Sequence, residues 1–408
     1  MSPSITTGRL ALGRRAAILG AAYAFFVAML GTTLPTPLYP IYEARFGFSE
    51  LTVTVVYASY AIGVFAALLL LGQSSDELGR RPVLFVGLAF AAASSLVFLV
   101  ASALGPLLIG RVLSGLSAGI FTGTATATLV DFAPEDAPGR GTLIATVVTI
   151  GGLGTGPLVA GLLAQFAPDA LRLPYAVHLG LLVPAAAAVL VMPEPVDVRP
   201  GALRRGLRFQ RLSVPGEMRS IFVRAATASF AAFAVMGLFS AVAPAFLATL
   251  LKLPSHWLSG VVVFGVFAAS TLGQLALELM SASVALPLSC AVMVVGSGLL
   301  AVGISASSLA PFVVGAAVAG FGTGLSLRAG LATVNSRSPA ARRAEVASSF
   351  FVVSYIALSL PIVGIGIAAQ AAGLRAAGIV FTGLVGALAL SVMISLVRHP
   401  ATSPAASS

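Results

Sequence analysis

Apolar runs of about 20 residues, parted by short gaps, recur twelve times along the 408 residues, and this recurrence limits what the chain can become. At 1.5 Å of rise per residue, roughly 20 apolar residues in a helix cross the hydrocarbon core of a bilayer. The runs are Ala16 to Tyr39, Leu51 to Gly72, Pro82 to Leu104, Pro106 to Val130, Thr142 to Phe166 and Leu173 to Met192, then Ser220 to Leu250, Trp257 to Met280, Val284 to Ile304, Leu309 to Val334, Val346 to Gln370 and Ala376 to Val397. None alternates with a period of two, and a lipid-exposed open sheet would leave backbone groups unpaired, so helices are the remaining solution. Composition agrees: 9% of residues are charged and mean hydropathy is +1.03, whereas a soluble domain carries roughly 25% charged residues. The expected fold is an all-α membrane protein of twelve transmembrane helices.

The formal net charge of +10 does not point to nucleic acid, because the basic residues sit in the gaps and form no stripe interleaved with aromatics. They report orientation instead. With the N-terminus inside, seventeen arginines, among them Arg14, Arg80, Arg81, Arg140, Arg219, Arg342 and Arg398, fall on one side, against Arg45, Arg172, Lys252 and Arg375 on the other. The positive-inside rule then puts both termini in the cytoplasm. The first run follows Arg9, Arg14 and Arg15 but is longer than a secretory h-region, so it reads as a retained helix. The near-exclusive use of arginine over lysine suggests a GC-rich bacterial genome, hence a bacterial inner membrane. Cys290 is alone, and His178, His256 and His399 are scattered, so no disulfide or zinc spacing exists, and no cofactor is implied.

The gap from Pro193 to Arg219 is basic and rich in proline and glycine. It divides the chain into a six-helix bundle over 1–192, a cytoplasmic linker over 193–219 and a second six-helix bundle with a short tail over 220–408. The halves echo each other at an offset of 205 residues, which pairs Gly115 with Gly320, Gly119 with Gly324, Pro134 with Pro339 and Gln165 with Gln370; separately, Gly72 and Gln73 recur as Gly273 and Gln274. A parallel six-helix repeat about an axis along the membrane normal has this signature.

Three motifs carry chemistry. Between the second and third runs stands GQSSDELGRRP, where Gly72 and Gly79 permit tight turns and Asp76 places a negative charge suited to a helix N-terminus. The spacing of Gly72, Asp76, Gly79, Arg80 and Arg81 resembles the loop signature of the major facilitator superfamily. In that family such an aspartate is a conformational latch, and the resemblance implies that role for these five residues, with the arginines answering Asp131; Glu77 departs from the pattern, which usually has a basic residue there. The fourth run holds LLIGRVLSGLSAG, similar to the family's arginine motif through Arg111, Gly115 and Gly119. Arg111 is either a snorkelling arginine or a cavity-facing cation that binds substrate or takes part in proton coupling. Gly115, Gly119 and Gly123 form a small-residue stripe for a neighbouring helix. The fifth run holds GGLGTGPLVAG, whose Gly152, Gly156, Pro157 and Gly161 resemble the motif of the antiporter branch, with Ala160 replacing one glycine.

Arg328 is the second arginine within a run, and for it snorkelling and function are both open. No Asp or Glu falls in the middle of a run, which argues for a neutral or anionic substrate and leaves His178, Asp131 or Glu278 to carry any coupling proton; His178 itself reads as a polar interfacial residue. The resemblance implies a cavity lined by helices one, four, seven and ten, with Tyr23, Phe26, Thr32, Phe230, Phe233, Met236 and Thr323 as wall candidates. The implied function is a monomeric secondary transporter moving a small organic molecule by alternating access, as an efflux permease coupled to protons. Proton-coupled uptake of a sugar or organic acid is one alternative, and a transport-inactive sensor or assembly partner is another. No nucleophile, metal or nucleotide-binding constellation supports an enzyme or an ATP-driven pump.

Overall fold

A computed structural model describes residues 4–71, 74–134, 136–137, 139–196, 212–339 and 342–398. Among these residues the twelve helices with the length and hydropathy to cross a bilayer are α1 (Ser4–Thr33), α2 (Glu50–Leu71), α3 (Arg80–Leu99), α4 (Leu104–Asp131), α5 (Gly139–Phe166), α6 (Leu173–Val191), α7 (Arg219–Ala241), α8 (His256–Ala276), α9 (Ala282–Ser305), α10 (Leu309–Arg337), α11 (Arg343–Ala372) and α12 (Leu374–Arg398). Most of the expected linker, His399 and Gly72 of the loop motif lie outside the described residues. The described residues fall into two compact units. The first lies within Met1–Phe48, Val55–Arg211 and Ser255–Phe264, and the second within Ser49–Thr54, Leu212–Pro254 and Gly265–Ser408.

Two runs that read as unbroken helices are broken. The first run ends its helix at Thr33, passes through a 3-10 turn at Thr36–Leu38 and resumes as the short helix Tyr39–Phe46. Pro35, Pro37 and Pro40 account for the break, because each lacks the N–H that an α-helix needs. The seventh run stops at Ala241, and after Pro244 continues as a π-turn over Phe246–Leu250.

Within the first unit, α2 and α4 touch backbone to backbone. A Cβ at Gly115 would strike the carbonyl of Tyr60, and one at Gly63 the carbonyl of Val112. Gly119 faces Val64 and Ala67 in the same seam, whereas a Cβ at Gly123 would meet nothing within 4 Å, so the stripe expected over three glycines is two long. The second unit repeats the contact: Gly320 meets Val266, Gly324 meets Ser270 and Gly273 meets Phe321 where α8 crosses α10. Without a hydrophobic drive between helices in lipid, such close approach supplies the dispersion that holds them.

The α5 motif is spent largely on α1. Gly152 faces the Phe26 carbonyl and the Met29 side chain, and Gly156 faces Leu30 and Thr33. Pro157 has no N–H to donate to the carbonyl four residues back, that of Leu153. The Thr33 hydroxyl supplies the missing donor at 2.8 Å, so one side chain of α1 completes the backbone of α5. Gly161 and Pro157 in turn face His256 and Gly260, and the Gln165 side chain accepts the His256 N–H at 3.1 Å. Thr33→Val therefore strands a buried carbonyl and is expected to cost about 1–3 kcal/mol in thermal unfolding of detergent-purified protein. In a Pro157→Ala background, where the N–H returns, the same change is expected to cost close to nothing.

Candidate substrate and coupling site

Arg111 projects from α4 into the core of the first unit and is 3% exposed. That rules out snorkelling to water for this residue. An arginine at the centre of a span costs about 2.5–3.5 kcal/mol on insertion scales, and the compensation is visible. Its Nη1 donates to the Thr32 carbonyl of α1 at 2.6 Å and its Nη2 reaches the Tyr57 carbonyl of α2 at 3.4 Å. The guanidinium carbon lies 4.7 Å from the ring centroid of Tyr60 and 5.3 Å from that of Tyr57. Hydrogen bonds to a charged group are worth about 1.5–3 kcal/mol each, and a cation on an aromatic face roughly 0.5–2 kcal/mol, so the cost is covered. Among the described residues no carboxylate pairs with Arg111, and its buried Nε has no hydrogen-bond partner. A cation held by neutral groups alone keeps its charge available to an anion.

Tyr57 and Tyr60 were not singled out from sequence. Their signal is the pair of aromatics three apart on α2, one helical turn, opposite the glycine seam of α4.

His178 lies deep in the unit at 1% exposed, not at an interface as its position near a helix end suggested. Its Nε2 donates to the Val27 carbonyl at 3.0 Å, which can only accept, so Nδ1 accepts from the Ser95 hydroxyl at 2.6 Å. Gly31 makes room for the ring, since any Cβ there would overlap the imidazole. Beside it a polar pocket of about 10 Å³ is lined by Thr32, Ser94, Ser95, Ser114 and Ser117 together with His178. Thr32 thus serves twice: its carbonyl holds Arg111 and the residue lines this pocket.

The loop motif builds a charged corner at the turn between α2 and α3. Gly79 enters α3 with φ of +94°, a conformation that glycine supplies without strain. Arg80, buried, donates from Nη1 to Asp76 and Ser75, each at 2.6 Å, and from Nε to Asp131 at 2.9 Å, tying the start of α3 to the end of α4. Arg81 turns the other way, toward the Leu190 carbonyl at the end of α6. Glu194, just past α6, accepts the backbone N–H groups of Arg80 at 2.7 Å and Arg81 at 2.9 Å. This carboxylate caps α3 where the helix presents unpaired donors and a positive dipole. Arg14 of α1 complements the other polarity by donating to the Phe132 and Ala133 carbonyls that end α4.

The second unit carries a corresponding ion pair of reversed sign. Arg328 of α10 donates to the Gln274 carbonyl at 2.7 Å and to Glu278 at 3.1 Å, at the end of α8. In the first unit the base opens α3 and the acid ends α4; here the acid follows α8 and the base is on α10. The second loop, GQLALELM, keeps Gly273 and Gln274 but has neither the aspartate nor the arginines of the first.

Most of the wall candidates contact groups of their own unit. The Tyr23 hydroxyl donates to the Leu181 carbonyl of α6 at 3.2 Å, and a methyl at Gly151 of α5 would touch the Phe26 ring at 3.6 Å. Phe233 packs edge-on against Tyr355 of α11 with centroids 6.1 Å apart, Phe230 faces α11 and α12, and Met236 is buried. The Thr323 hydroxyl is bonded to the Ala319 and Ala232 carbonyls.

Twelve helices long and apolar enough to span a bilayer, gathered in two compact units, with a buried arginine held by carbonyls and ring faces in the first, describe a multi-pass membrane protein. The family model described as Major Facilitator Superfamily matches residues 21–360, and the chain belongs to that family. It is a multi-pass membrane transporter of small molecules and not an enzyme. The quinolone resistance protein NorA of Staphylococcus aureus is 25% identical over 168 residues, which are 41% of this chain and 42% of that protein, so the match spans less than half of either. Two solved structures share the fold at 16% identity. A bacterial homologue of the human lysosomal transporter Spinster aligns with TM-score 0.67 over 95% of this chain and 99% of its own, and the human organic anion transporter MFSD10 with TM-score 0.68 over 93% and 99%.

The α3 cap gives a direct test of the charged corner. Glu194→Ala is expected to cost about 1 kcal/mol in thermal unfolding, as loss of a helix cap does. Glu194→Gln, which retains one acceptor oxygen, is expected to lose about half as much; an unchanged midpoint for Glu194→Ala would remove the cap from the account.

Proposed function

We propose that this transporter exports a small amphipathic organic compound, neutral or anionic, in exchange for protons. The observation that carries the reading is Arg111, a buried guanidinium without a carboxylate among the described residues. A fixed internal cation repels cationic solutes and attracts anionic ones, most strongly where the dielectric is low. Every described Asp and Glu lies at a helix end or in a connection, which leaves the spans with no counter-charge for a cationic drug. Export is favoured by the resemblance of the α5 motif to the antiporter branch and by the partial likeness to NorA, a quinolone resistance protein. In this reading the chain works by alternating access as a monomer in a bacterial plasma membrane, both termini cytoplasmic, with the halves 1–192 and 220–408 joined by the basic segment 193–219.

Arg111 is the substrate or coupling residue, and Tyr57 and Tyr60 position it. The corner of Asp76, Gly79, Arg80, Arg81 and Asp131 is the conformational latch, and the Gly152, Gly156, Pro157 and Gly161 motif sets the packing of α5 on its partners. Uptake by symport is the competing reading. The same lone cation favours it, because an anion seated at Arg111 and a proton would assist each other's binding instead of competing.

Everted vesicles with an acidic interior decide between them. Exchange predicts that a substrate accumulates inside while the pH gradient dissipates; symport predicts substrate leaving together with protons. Arg111→Ala is expected to lower either flux at least about tenfold with expression unchanged, and Arg111→Lys to restore little of it, since an ammonium cannot reproduce the planar stacking and forked donors. Wild-type flux in Arg111→Ala would overturn the assignment.

A further inference from the structure

A second cavity, of about 370 Å³, lies within the second unit between α7, α11 and α12. All of its lining side chains are apolar. It is wide because small residues face one another there: Ala231 and Ala234 of α7, Gly364 and Ala368 of α11 and Ala377 of α12. A Cβ built at Gly364 meets nothing within 4 Å. The lining grades from lipid to core. Val380 and Leu384 on α12 are 59% and 65% exposed, and on a spanning helix that exposure is to hydrocarbon, whereas Ala231 and Ala234 on α7 are 0% and 1% exposed.

Its depth is informative. Along α12 the lining runs from Ala377 to Leu388, eleven residue steps, or about 16 Å at the α-helical rise. That is close to half of the roughly 30 Å hydrocarbon core. The lining begins four residues after Gly373, the turn between α11 and α12, and so extends from one face of the bilayer to its middle.

We propose that this crevice is a binding site for one acyl chain of a membrane phospholipid, taken from the leaflet that meets the α11–α12 turn. The occupant must be apolar, since no lining side chain could satisfy a head group or a water molecule. It must be slender, since a helix of roughly 10 Å diameter does not fit so small a volume. It must span one leaflet and enter from the side on which the lining is exposed. A chain seated there restores the dispersion contacts that the small residues of α7 and α11 leave unmade, and it makes lipid part of the packing of α7 on α11 and α12.

The test uses the full-length protein in phosphatidylcholine nanodiscs containing a trace of phosphatidylcholine with a diazirine at mid-chain, irradiated and mapped by peptide mass spectrometry. Adducts are expected on α7 around Ala231 and Ala234, buried from open lipid, as well as on exposed Leu360 and Leu390. Gly364→Leu, which fills the crevice, is expected to lower the α7 adducts by about fivefold or more while leaving those at Leu360 and Leu390 unchanged. Label confined to exposed residues in the wild-type protein, or α7 label indifferent to Gly364→Leu, would overturn the proposal. Should Gly364→Leu fail to fold, Ala368→Leu fills the same space, and the wild-type map decides by itself.

Discussion

A full positive charge, 3% exposed inside a membrane span, has to be compensated where it stands, and much of the first unit is arranged around that requirement. The Thr32 carbonyl is within reach of Arg111 where α1 nears its end at Thr33 and the prolines that follow; the Tyr57 and Tyr60 rings are within reach because α2 and α4 meet through glycine. Among the described residues no ion pair cancels the charge. Neutral carbonyls and ring faces lower its energy without removing its field, a compromise that suits a site meant to attract something from outside.

Backbone proximity is the second theme. In lipid the exclusion of water does not press helices together, so contact has to be earned by shape. The α2–α4 and α8–α10 seams solve this the same way, with glycines set against carbonyls, and they are the clearest physical trace of the internal repeat. The α1–α5 seam adds a repair: Thr33 donates to the carbonyl that Pro157 leaves without a partner, so a helix carrying proline keeps its backbone satisfied at membrane depth. The charged corners show the repeat diverging. Both units hold two helices together with an arginine–carboxylate pair, but with the signs exchanged: Arg80 opens α3 and Asp131 ends α4, whereas Glu278 follows α8 and Arg328 is on α10.

Much of the fold was legible because span length and hydropathy are set by the bilayer, a solvent the same for every helix. The breaks after Thr33 and Ala241 were less so, since the prolines near them leave hydropathy high while removing hydrogen bonds. Arg111 stood out as a charge in an apolar run, and Asp131 as an acid at a span's end. Glu194, Tyr57, Tyr60 and Thr33 did not, because their roles depend on partners between 51 and 124 positions away, a separation no local pattern records. Gly123 looked equivalent to Gly115 and Gly119 by spacing, yet helix periodicity drifts away from a straight seam, and by that residue the stripe faces open space. His178 failed for a related reason: closeness to a helix end says nothing about which way a ring points.

The central claim is that the carrier's buried electrostatics select against cations. Equilibrium binding to purified protein of two isosteric amphiphiles, one bearing a carboxylate and one an ammonium on the same scaffold, measures it most directly. The account predicts tighter binding of the carboxylate by about tenfold or more, with the preference lost in Arg111→Gln. Tighter binding of the ammonium by the wild-type protein would contradict it.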